Sequence, residues 1–366
     1  MPCWSRTHAA GRRPPRRLRT EHRTVTPGAT APPDDMATSG ARALTADAGV
    51  RAISREMRRS EPVFIVGVPR SGTTPLRRTL DRHPAFRARW PESRETRVFD
   101  EPERILQLRE PGSRTAFHYM LHDPHEADAL ETHLRALRTG LLRRALRAGL
   151  VPGRGERARI LRFRLERWHE VLRLYFFHSR RARGCRRILE KTPIHVLRLP
   201  EIFATFPRAR VLICLRHPVD VYSSFRKRLE RDRAAGVEPE KLRWLERDAE
   251  TFATRYRKIA EIALERAGAR DGRCRLVRYE ALSAEPRRTL DGICRFVGEA
   301  WDEALVGGEA ERDEHGSPRR EGALALNRKR WEDFLPAAEA RELEKLLAEP
   351  MARLGYERLT GAGLSS

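Results

Sequence analysis

The chain has 366 residues, of which 40% are hydrophobic and 34% are charged, so it is long enough for one large α/β domain or two small ones. No stretch reaches the roughly 20 consecutive apolar residues of a membrane span, so we expect a soluble protein without a transmembrane segment. The net charge of +23 attracts anions. However, 68 of the 74 basic residues are arginines spread along the whole chain, which is typical of a bias in overall composition and does not by itself indicate a nucleic-acid partner. Zinc spacings, helix-turn-helix signatures and aromatic-basic RNA motifs are absent from the sequence, so no nucleic-acid partner is expected.

The five cysteines are odd in number and widely spaced. No CxxC pair occurs, which argues against both a zinc site and a disulfide framework. Cys214 and Cys274 lie in apolar runs and are predicted to be small core residues. This pattern suits a reducing compartment and predicts a cytoplasmic location.

The first 45 residues are rich in Arg, Pro and Thr and contain almost no aliphatic side chains. Such a segment buries too little apolar area to offset its ordering entropy, which predicts a disordered tail at 1–45. Its arginine pairs are not followed by the apolar region of a signal peptide, and either Met1 or Met36 is compatible with the start of translation. Residues 46–360 are predicted to form a single domain.

Strand-like and helix-like segments alternate after Glu61. The continuous apolar, β-branched run at 62–68 is typical of a strand buried on both faces of a parallel sheet, and further strands are predicted at 210–216, at 274–280 and, shorter, at 186–190. Helix patterns follow these runs at 74–84, 194–206, 218–231 and 286–298, the last with Gly298 as its C-cap. The alternation predicts an α/β fold with a central parallel sheet flanked by helices.

The stretch FIVGVPRSGTT at 64–74 is almost a nucleotide-binding phosphate loop. Gly67 and Gly72 have the spacing of a Walker loop, but Thr73 stands where the Walker lysine would be. A strand that ends in a glycine turn and opens a helix still presents backbone N–H groups and a favourable helix dipole to an anion. The loop therefore predicts a site for a single phosphate-type group.

Side chains of the same loop add donors for that anion. A guanidinium offers a fixed charge and a planar fork that match sulfate or phosphate oxygens, and hydroxyls offer further donors. The residues concerned are Arg70, Ser71, Gly72, Thr73 and Thr74.

A second anion site is predicted at the end of the strand 210–216. Arg216 ends this strand, where an unpaired buried charge is costly, and Ser224 lies two helical turns into the next helix. Ligands of α/β sheets bind at this edge, so the two residues form a candidate clamp for a second phosphate. The alternative is that Arg216 pairs with Asp220 for structural reasons.

These two motifs, in this order, resemble the 5′-phosphosulfate loop and the 3′-phosphate motif of the sulfotransferase family. The similarity extends over about residues 60 to 355 and includes the segments VRYEAL and RW…L. The resemblance implies a P-loop-like three-layer fold, and the amphipathic pattern at 102–182, rich in Arg and Leu, predicts a helical insert. It also implies sulfuryl transfer from 3′-phosphoadenosine 5′-phosphosulfate (PAPS) without a metal.

The segment ETRV is similar to one in tyrosylprotein sulfotransferases, and this resemblance implies that Glu95 is the catalytic base. A few additional residues before the segment leave Glu92 as an alternative. Pro193 stands where cytosolic small-molecule sulfotransferases have a catalytic histidine, which removes that mechanism, and His195 is predicted to be structural.

Lys191, one of only six lysines, follows a short apolar strand and is predicted, with Arg70, to stabilise charge on the leaving group. A solvated surface lysine is the alternative. The resemblance implies that Tyr279 lies near the adenosine and 3′-phosphate, and that Arg330 closes over the donor. Trp331 is compatible with purine packing or with a place in the core.

Two other functions are compatible with these motifs: a kinase or NTPase whose atypical phosphate loop lacks the Walker lysine, and a non-catalytic binder of nucleotides or polyanions. A pure binder needs neither Glu95 nor Lys191, so the sulfotransferase interpretation is favoured. The acceptor would carry a hydroxyl or an amine, as in peptide tyrosine, a carbohydrate or a glycolipid. The insert 102–182 and the segment 229–245 are predicted to build its cleft. The sequence does not indicate an oligomeric state.

Overall fold

A computed structural model describes the protein at residues 48–89, 95–100, 123–147, 168–306 and 331–359. The predicted disordered tail, Glu92 and Arg330 lie outside the described residues, as do 101–122 and 148–167 of the predicted insert region.

The four described strands form one parallel sheet, as the alternating pattern predicts. They are β1 (Val63–Gly67), β2 (Leu189–Lys191), β3 (Arg210–Leu215) and β4 (Cys274–Arg278). Their order across the sheet is β2-β1-β3-β4, and all three pairings are parallel. All four carboxyl ends therefore lie at the same edge of the sheet.

Helices cover both faces of this sheet. The described helices, in chain order, are α1 (48–59), α2 (Thr73–Leu80), α3 (Pro124–Arg147), α4 (Trp168–Arg183), α5 (Leu199–Thr205), α6 (Pro218–Ala234), α7 (Pro239–Leu242), α8 (Ala249–Gly268), α9 (Tyr279–Ala284), α10 (Pro286–Val297), α11 (Ala337–Leu346) and α12 (Ala348–Arg353). Short 3₁₀ turns lie at Pro193–Arg198, Glu303–Leu305 and Trp331–Asp333. The helices α3 and α4 confirm helical structure in the described part of the predicted insert region.

Side chains of β1 alternate between two hydrophobic clusters, because successive residues of a strand point to opposite faces. Phe64 and Val66 join the larger cluster, while Val63 and Ile65 join the smaller one, which also contains side chains of α2 and α10. All five residues of β1 are buried, which explains why the sequence of this strand is a continuous apolar run.

Two predicted helices differ from the structure at one end. Helix α2 ends at Leu80, before the predicted stop at Pro84, because the chain turns where the Ala85 N–H donates to Nδ1 of His83 at 3.1 Å. The predicted helix 194–206 begins as the 3₁₀ turn and continues as α5, since Pro200 has no N–H to donate to the preceding turn.

The path of the chain through the sheet creates a crevice. From β1 the chain crosses to β2 on one side, and it then returns to β3 on the other side. Open α/β sheets bind ligands at such a reversal, outside the carboxyl ends of the strands. The residues that follow β1 and β3 are the predicted phosphate loop and Arg216.

Candidate active site

A cavity of about 640 Å³ lies at this edge of the sheet, and all four strand ends bring residues to it or to its border. The loop after β1, Arg216 after β3 and Tyr279 after β4 line the cavity. Lys191, the last residue of β2, forms an ion pair with Glu95, which lines the cavity. The fold therefore brings together the site residues that the sequence analysis drew from four separate segments.

The loop after β1 requires glycine at two positions. Gly67 has φ 131°, and a Cβ there would overlap the carbonyl oxygen of Cys214 on the neighbouring strand. Gly72 has φ 84°, and its Cβ would lie 2.5 Å from Cδ2 of Tyr279. The Walker-like glycines thus allow the loop to approach β3 and Tyr279 closely.

Arg70 adopts a left-handed conformation with φ 73°, which costs about 1 to 3 kcal/mol in a non-glycine residue. Its Nε donates to Oγ of Ser224 at 3.1 Å. This hydrogen bond joins the loop after β1 to helix α6, so the two predicted anion sites are neighbours. Thr73 and Thr74 also line the cavity, whereas Ser71 is buried and is not among the lining residues.

Arg216 is buried at the end of β3, with its guanidinium 4.3 Å from the centroid of the Tyr279 ring. Its Nη2 lies 3.6 Å from Oδ2 of Asp220, so the structural pairing considered from the sequence is present. Burial raises the pKa of Asp220, although the charge of Arg216 opposes that rise. The Nε of Arg216 is buried and has no hydrogen-bond partner among the residues that the structure describes.

This orphaned donor allows a test of whether the site suits a phosphate. Buried donors in native proteins are almost always satisfied, and a bidentate guanidinium is a strong partner for phosphate oxygens. Asp220 occupies one side of Arg216, and Nε remains for an anion. Together with the strained Arg70, this arrangement fits a ligand that carries two phosphate-type groups.

Glu95 and Lys191 form an ion pair at the cavity, with 3.0 Å between Oε1 and Nζ. The Lys191 side chain is only 15% exposed, against 38% for Glu95, so Lys191 is not a solvated surface lysine. The candidate base and the candidate charge stabiliser are therefore in contact. Glu92, the alternative base, lies outside the described residues.

The sequence analysis did not single out several other lining residues, which include Arg78, Arg97, Trp244, Arg247 and Arg255. Arg97 also has a positive φ, of 51°. It belongs to the ETRV segment, and its position two residues after Glu95 could have marked it as a site residue in the sequence. Burial lowers the pKa of Arg247 and of Arg255, and nearby arginines lower both further.

The remaining sequence candidates lie elsewhere. Trp331 is buried in the larger hydrophobic cluster, which places it in the core. His195 is fully buried and hydrogen-bonded to Glu190, in agreement with a structural role. Within the described ranges, no group of three or more His, Cys, Asp or Glu residues has the arrangement of a metal site, and no helix is long and apolar enough to cross a membrane.

Known proteins that are similar to this chain support the interpretation drawn from the site. A family model described as "Sulfotransferase family" matches residues 62–303. Protein-tyrosine sulfotransferase 1 of Danio rerio is 26% identical over 313 residues, which cover 81% of this chain and 72% of that protein. Protein-tyrosine sulfotransferase 2 of Gallus gallus is 24% identical over 312 residues, which cover 81% of this chain and 69% of that protein.

Among solved structures, the sulfotransferase domain of the Synechococcus PCC 7002 olefin synthase is 21% identical, with a TM-score of 0.46, and the match covers 82% of this chain and 97% of that domain. The family match covers well over half of the chain and includes the loop after β1, Lys191, Arg216 and Tyr279. The chain therefore belongs to the sulfotransferase family, and the reaction it catalyses is the transfer of a sulfuryl group.

Proposed function

We propose that the sulfuryl donor is PAPS and that the acceptor is a hydroxyl or amine attacked in line with the leaving phosphate. The proposal rests chiefly on one observation, the convergence of Arg70 and Arg216 on a single cavity with Glu95 beside Lys191. A protein that only binds nucleotides does not need Glu95 beside Lys191. A kinase would need a lysine where Thr73 stands, so the kinase or NTPase alternative is not favoured.

Each phosphate-type group of the donor has a proposed partner set. The loop at 67–74, with Arg70, Thr73 and Thr74, would hold the 5′-phosphosulfate at the N-terminus of α2. Arg216 and Ser224 would hold the 3′-phosphate, and the hydrogen bond from Arg70 to Ser224 supports this adjacency. Tyr279, which packs on Arg216, would border the nucleotide.

Further residues of the loop and the C-terminal segment complete the proposed donor site. Ser71 and Gly72 contribute to the loop, with Gly72 making room for the ring of Tyr279. Arg330 is proposed to close over the donor, by resemblance to the family, and it lies outside the described residues.

The donor, when bound, supplies an activated sulfuryl group, and the chain supplies position, charge and a proton acceptor. Glu95 would take the proton from the acceptor hydroxyl, as a general base within reach of the cavity. Lys191 and Arg70 would place positive charge where negative charge develops on the leaving phosphate. The contact between Glu95 and Lys191 keeps these two functions side by side.

Peptide tyrosine is the acceptor we propose to test first, because two relatives are named protein-tyrosine sulfotransferases. A carbohydrate and a glycolipid are the other candidates. We further propose that no metal takes part, that residues 46–360 form one catalytic domain, and that the location is cytoplasmic. Four buried free cysteines among the described residues support the last point.

Calorimetry with 3′-phosphoadenosine 5′-phosphate (PAP) tests the donor. We expect the full chain to bind PAP equally with and without Mg²⁺, and to bind it more tightly than ATP. A preference for ATP with Mg²⁺ would contradict the proposal and would favour a kinase or NTPase. Transfer of label from radioactive PAPS to a tyrosine peptide, a carbohydrate or a glycolipid then identifies the acceptor class.

A further inference from the structure

A buried carboxylate lies next to Lys191 in strand β2. The side chain of Glu190 is 1% exposed, and because side chains alternate along a strand it points to the opposite face from Lys191. Its Oε1 accepts hydrogen bonds from Oγ1 of Thr96 at 2.8 Å and from Oγ1 of Thr192 at 2.6 Å. Thr96 is the residue between Glu95 and Arg97, both of which line the cavity.

The second oxygen of Glu190 reaches the same segment by another route. Oε2 lies 3.3 Å from Nδ1 of His195, and the Phe99 N–H points to Nε2 of His195 at 3.4 Å. A carboxylate only accepts, so Nδ1 of His195 carries a hydrogen and donates it to Glu190. Glu190 therefore contacts the segment 95–100 directly at Thr96 and through His195 at Phe99.

The segment between these two anchors is strained. Arg97 has φ 51°, a conformation that a non-glycine residue keeps only when the surrounding structure holds it. A turn follows, with the Asp100 N–H donating to the Arg97 carbonyl at 3.0 Å. Val98 and Phe99 also pack in the larger hydrophobic cluster, so loss of the contact at Thr96 would loosen the segment chiefly next to Glu95.

We propose that Glu190 is a positioning residue, whose buried carboxylate fixes both ends of the segment 95–100 and so holds Glu95 beside Lys191 at the cavity. This inference rests on the proposed role of Glu95 as the base. Glu190 itself lies behind the strand and does not line the cavity.

The charge state of Glu190 suits this function. Burial opposes ionisation, but the nearby His195 and the two threonine hydroxyls outweigh it, so the pKa of Glu190 is lowered. At neutral pH the group is a carboxylate and only accepts hydrogen bonds, as its donors require. Removing one partner of a buried charged group is costly, so Glu190→Gln can unfold the chain. Thr96→Val, which removes one hydroxyl and keeps the shape, is therefore the main test variant.

Hydrogen exchange of the full chain tests the anchoring without any acceptor. We expect Thr96→Val to speed the exchange of the amides in 97–100 about tenfold, and Thr96→Ser to restore the wild-type rate. The matched control is Thr205→Val, which removes a fully buried hydroxyl that donates to the Glu201 carbonyl at 2.7 Å, in α5. Exchange in 97–100 that is unchanged in Thr96→Val, or equally fast in the control, would overturn the proposal.

Sulfuryl transfer from radioactive PAPS to a tyrosine peptide tests the consequence for catalysis. A displacement of the base by about 1 Å lowers the rate about 10- to 100-fold, so kcat should fall by this factor in Thr96→Val while the affinity for PAP stays unchanged. Thr96→Ser should recover kcat. The double variant Glu95→Gln/Thr96→Val should be no slower than Glu95→Gln, because Thr96 acts through Glu95.

The outcomes separate this inference from the proposed function. A slow Glu95→Gln together with a Thr96→Val enzyme as fast as Thr205→Val would overturn the positioning role alone. A fully active Glu95→Gln would instead overturn the assignment of the base, and the positioning role would fall with it. If the peptide is not a substrate of the wild-type protein, the exchange measurement decides the anchoring.

Discussion

The strand-end cavity and the contact between α3 and α4 are both rich in charge, but they use it in opposite ways. At the helix contact, Glu126 accepts from Nδ1 of His178 and from Nε of Arg181, both at 2.7 Å. Nδ1 of His133 lies 3.0 Å from Nε2 of His178 and completes the network. At this contact the charge of Glu126 is therefore matched by that of Arg181 within the fold.

At the cavity, the lining residues carry more positive than negative charge. Six arginines line it, among them Arg97, Arg247 and Arg255, against the single carboxylate of Glu95, and Asp100 offsets part of the charge of Arg255. The backbone is strained at Arg70 and Arg97, the two non-glycine residues with positive φ in the described ranges. An excess of positive charge and strain at one place indicate a binding site, whereas charge balanced within the fold indicates structural support. The predictions below test this difference.

The largest expected effect is that of Glu95→Gln on the rate. Removal of a general base lowers kcat by about 10²- to 10⁴-fold, and the affinity for PAP should not change because Glu95 is not a proposed donor ligand. The measurement is steady-state transfer from radioactive PAPS, with PAP calorimetry in parallel. The control is Glu349→Gln, which breaks an exposed ion pair with Arg353 in α12. A Glu95→Gln enzyme as fast as this control would contradict the assignment.

Gly72→Ala should weaken the binding of PAP at least tenfold, because the new Cβ would lie 2.5 Å from the Tyr279 ring in a conformation with φ 84°. Gly236→Ala is the matched control, since Gly236 has a similar φ of 71° and open space around the new Cβ. Both variants should lose about 1 to 2 kcal/mol of unfolding free energy from the positive φ. Unchanged PAP affinity in Gly72→Ala would show that the loop does not form the donor site.

His178→Gln should act on stability and leave the donor site intact. We expect a loss of about 1 to 3 kcal/mol in urea unfolding, because Glu126 and His133 lose a buried partner, with no change in PAP affinity. His125→Gln, an exposed position on α3, is the control and should be neutral. A loss of PAP affinity in His178→Gln would contradict the separation of the two regions.

The smallest effect is a pH dependence of stability at the helix contact. Burial lowers the pKa of both His133 and His178, so near their ordinary pKa the unfolded chain binds more protons than the folded one. Stability is therefore lost as pH falls from about 6.5, the ordinary value, toward the lowered values. Urea unfolding between about pH 7.5 and pH 5.5 should show a shallower pH slope in His178→Gln. Equal pH slopes in wild type and His178→Gln would contradict a lowered pKa of His178 in the folded chain.

The sequence predicted β1 and β3 well because these two strands are buried on both faces. A continuous apolar run leaves few alternatives, and β1 and β3 lie within one residue of their predicted bounds. Helix ends were predicted less well. The end of α2 depends on a hydrogen bond between His83 and Ala85, and no periodicity reports such a contact.

In the candidate site, too, some residues could be predicted from the sequence and others depend on how the helices pack. Arg70, Arg216 and Lys191 follow strands, and strand ends of a parallel sheet meet at one edge, so their meeting was predictable. Arg255 comes from a helix, and its arrival at the cavity depends on how α8 packs on the rest of the fold. Trp244 lies in the segment 229–245, which was predicted to border the acceptor, although nothing marked this residue individually. Arg247 could not be distinguished from the many other arginines of the chain.

The central claim is that Arg216 binds the 3′-phosphate of the donor, and a thermodynamic cycle tests it most directly. Calorimetry would compare PAP with adenosine 5′-phosphate on wild type and on Arg216→Gln, with Arg210→Gln at the other end of β3 as the control. We predict that the 3′-phosphate strengthens binding about 100-fold in wild type and in the control, and hardly at all in Arg216→Gln. An equal gain from the 3′-phosphate in all three proteins would contradict the claim.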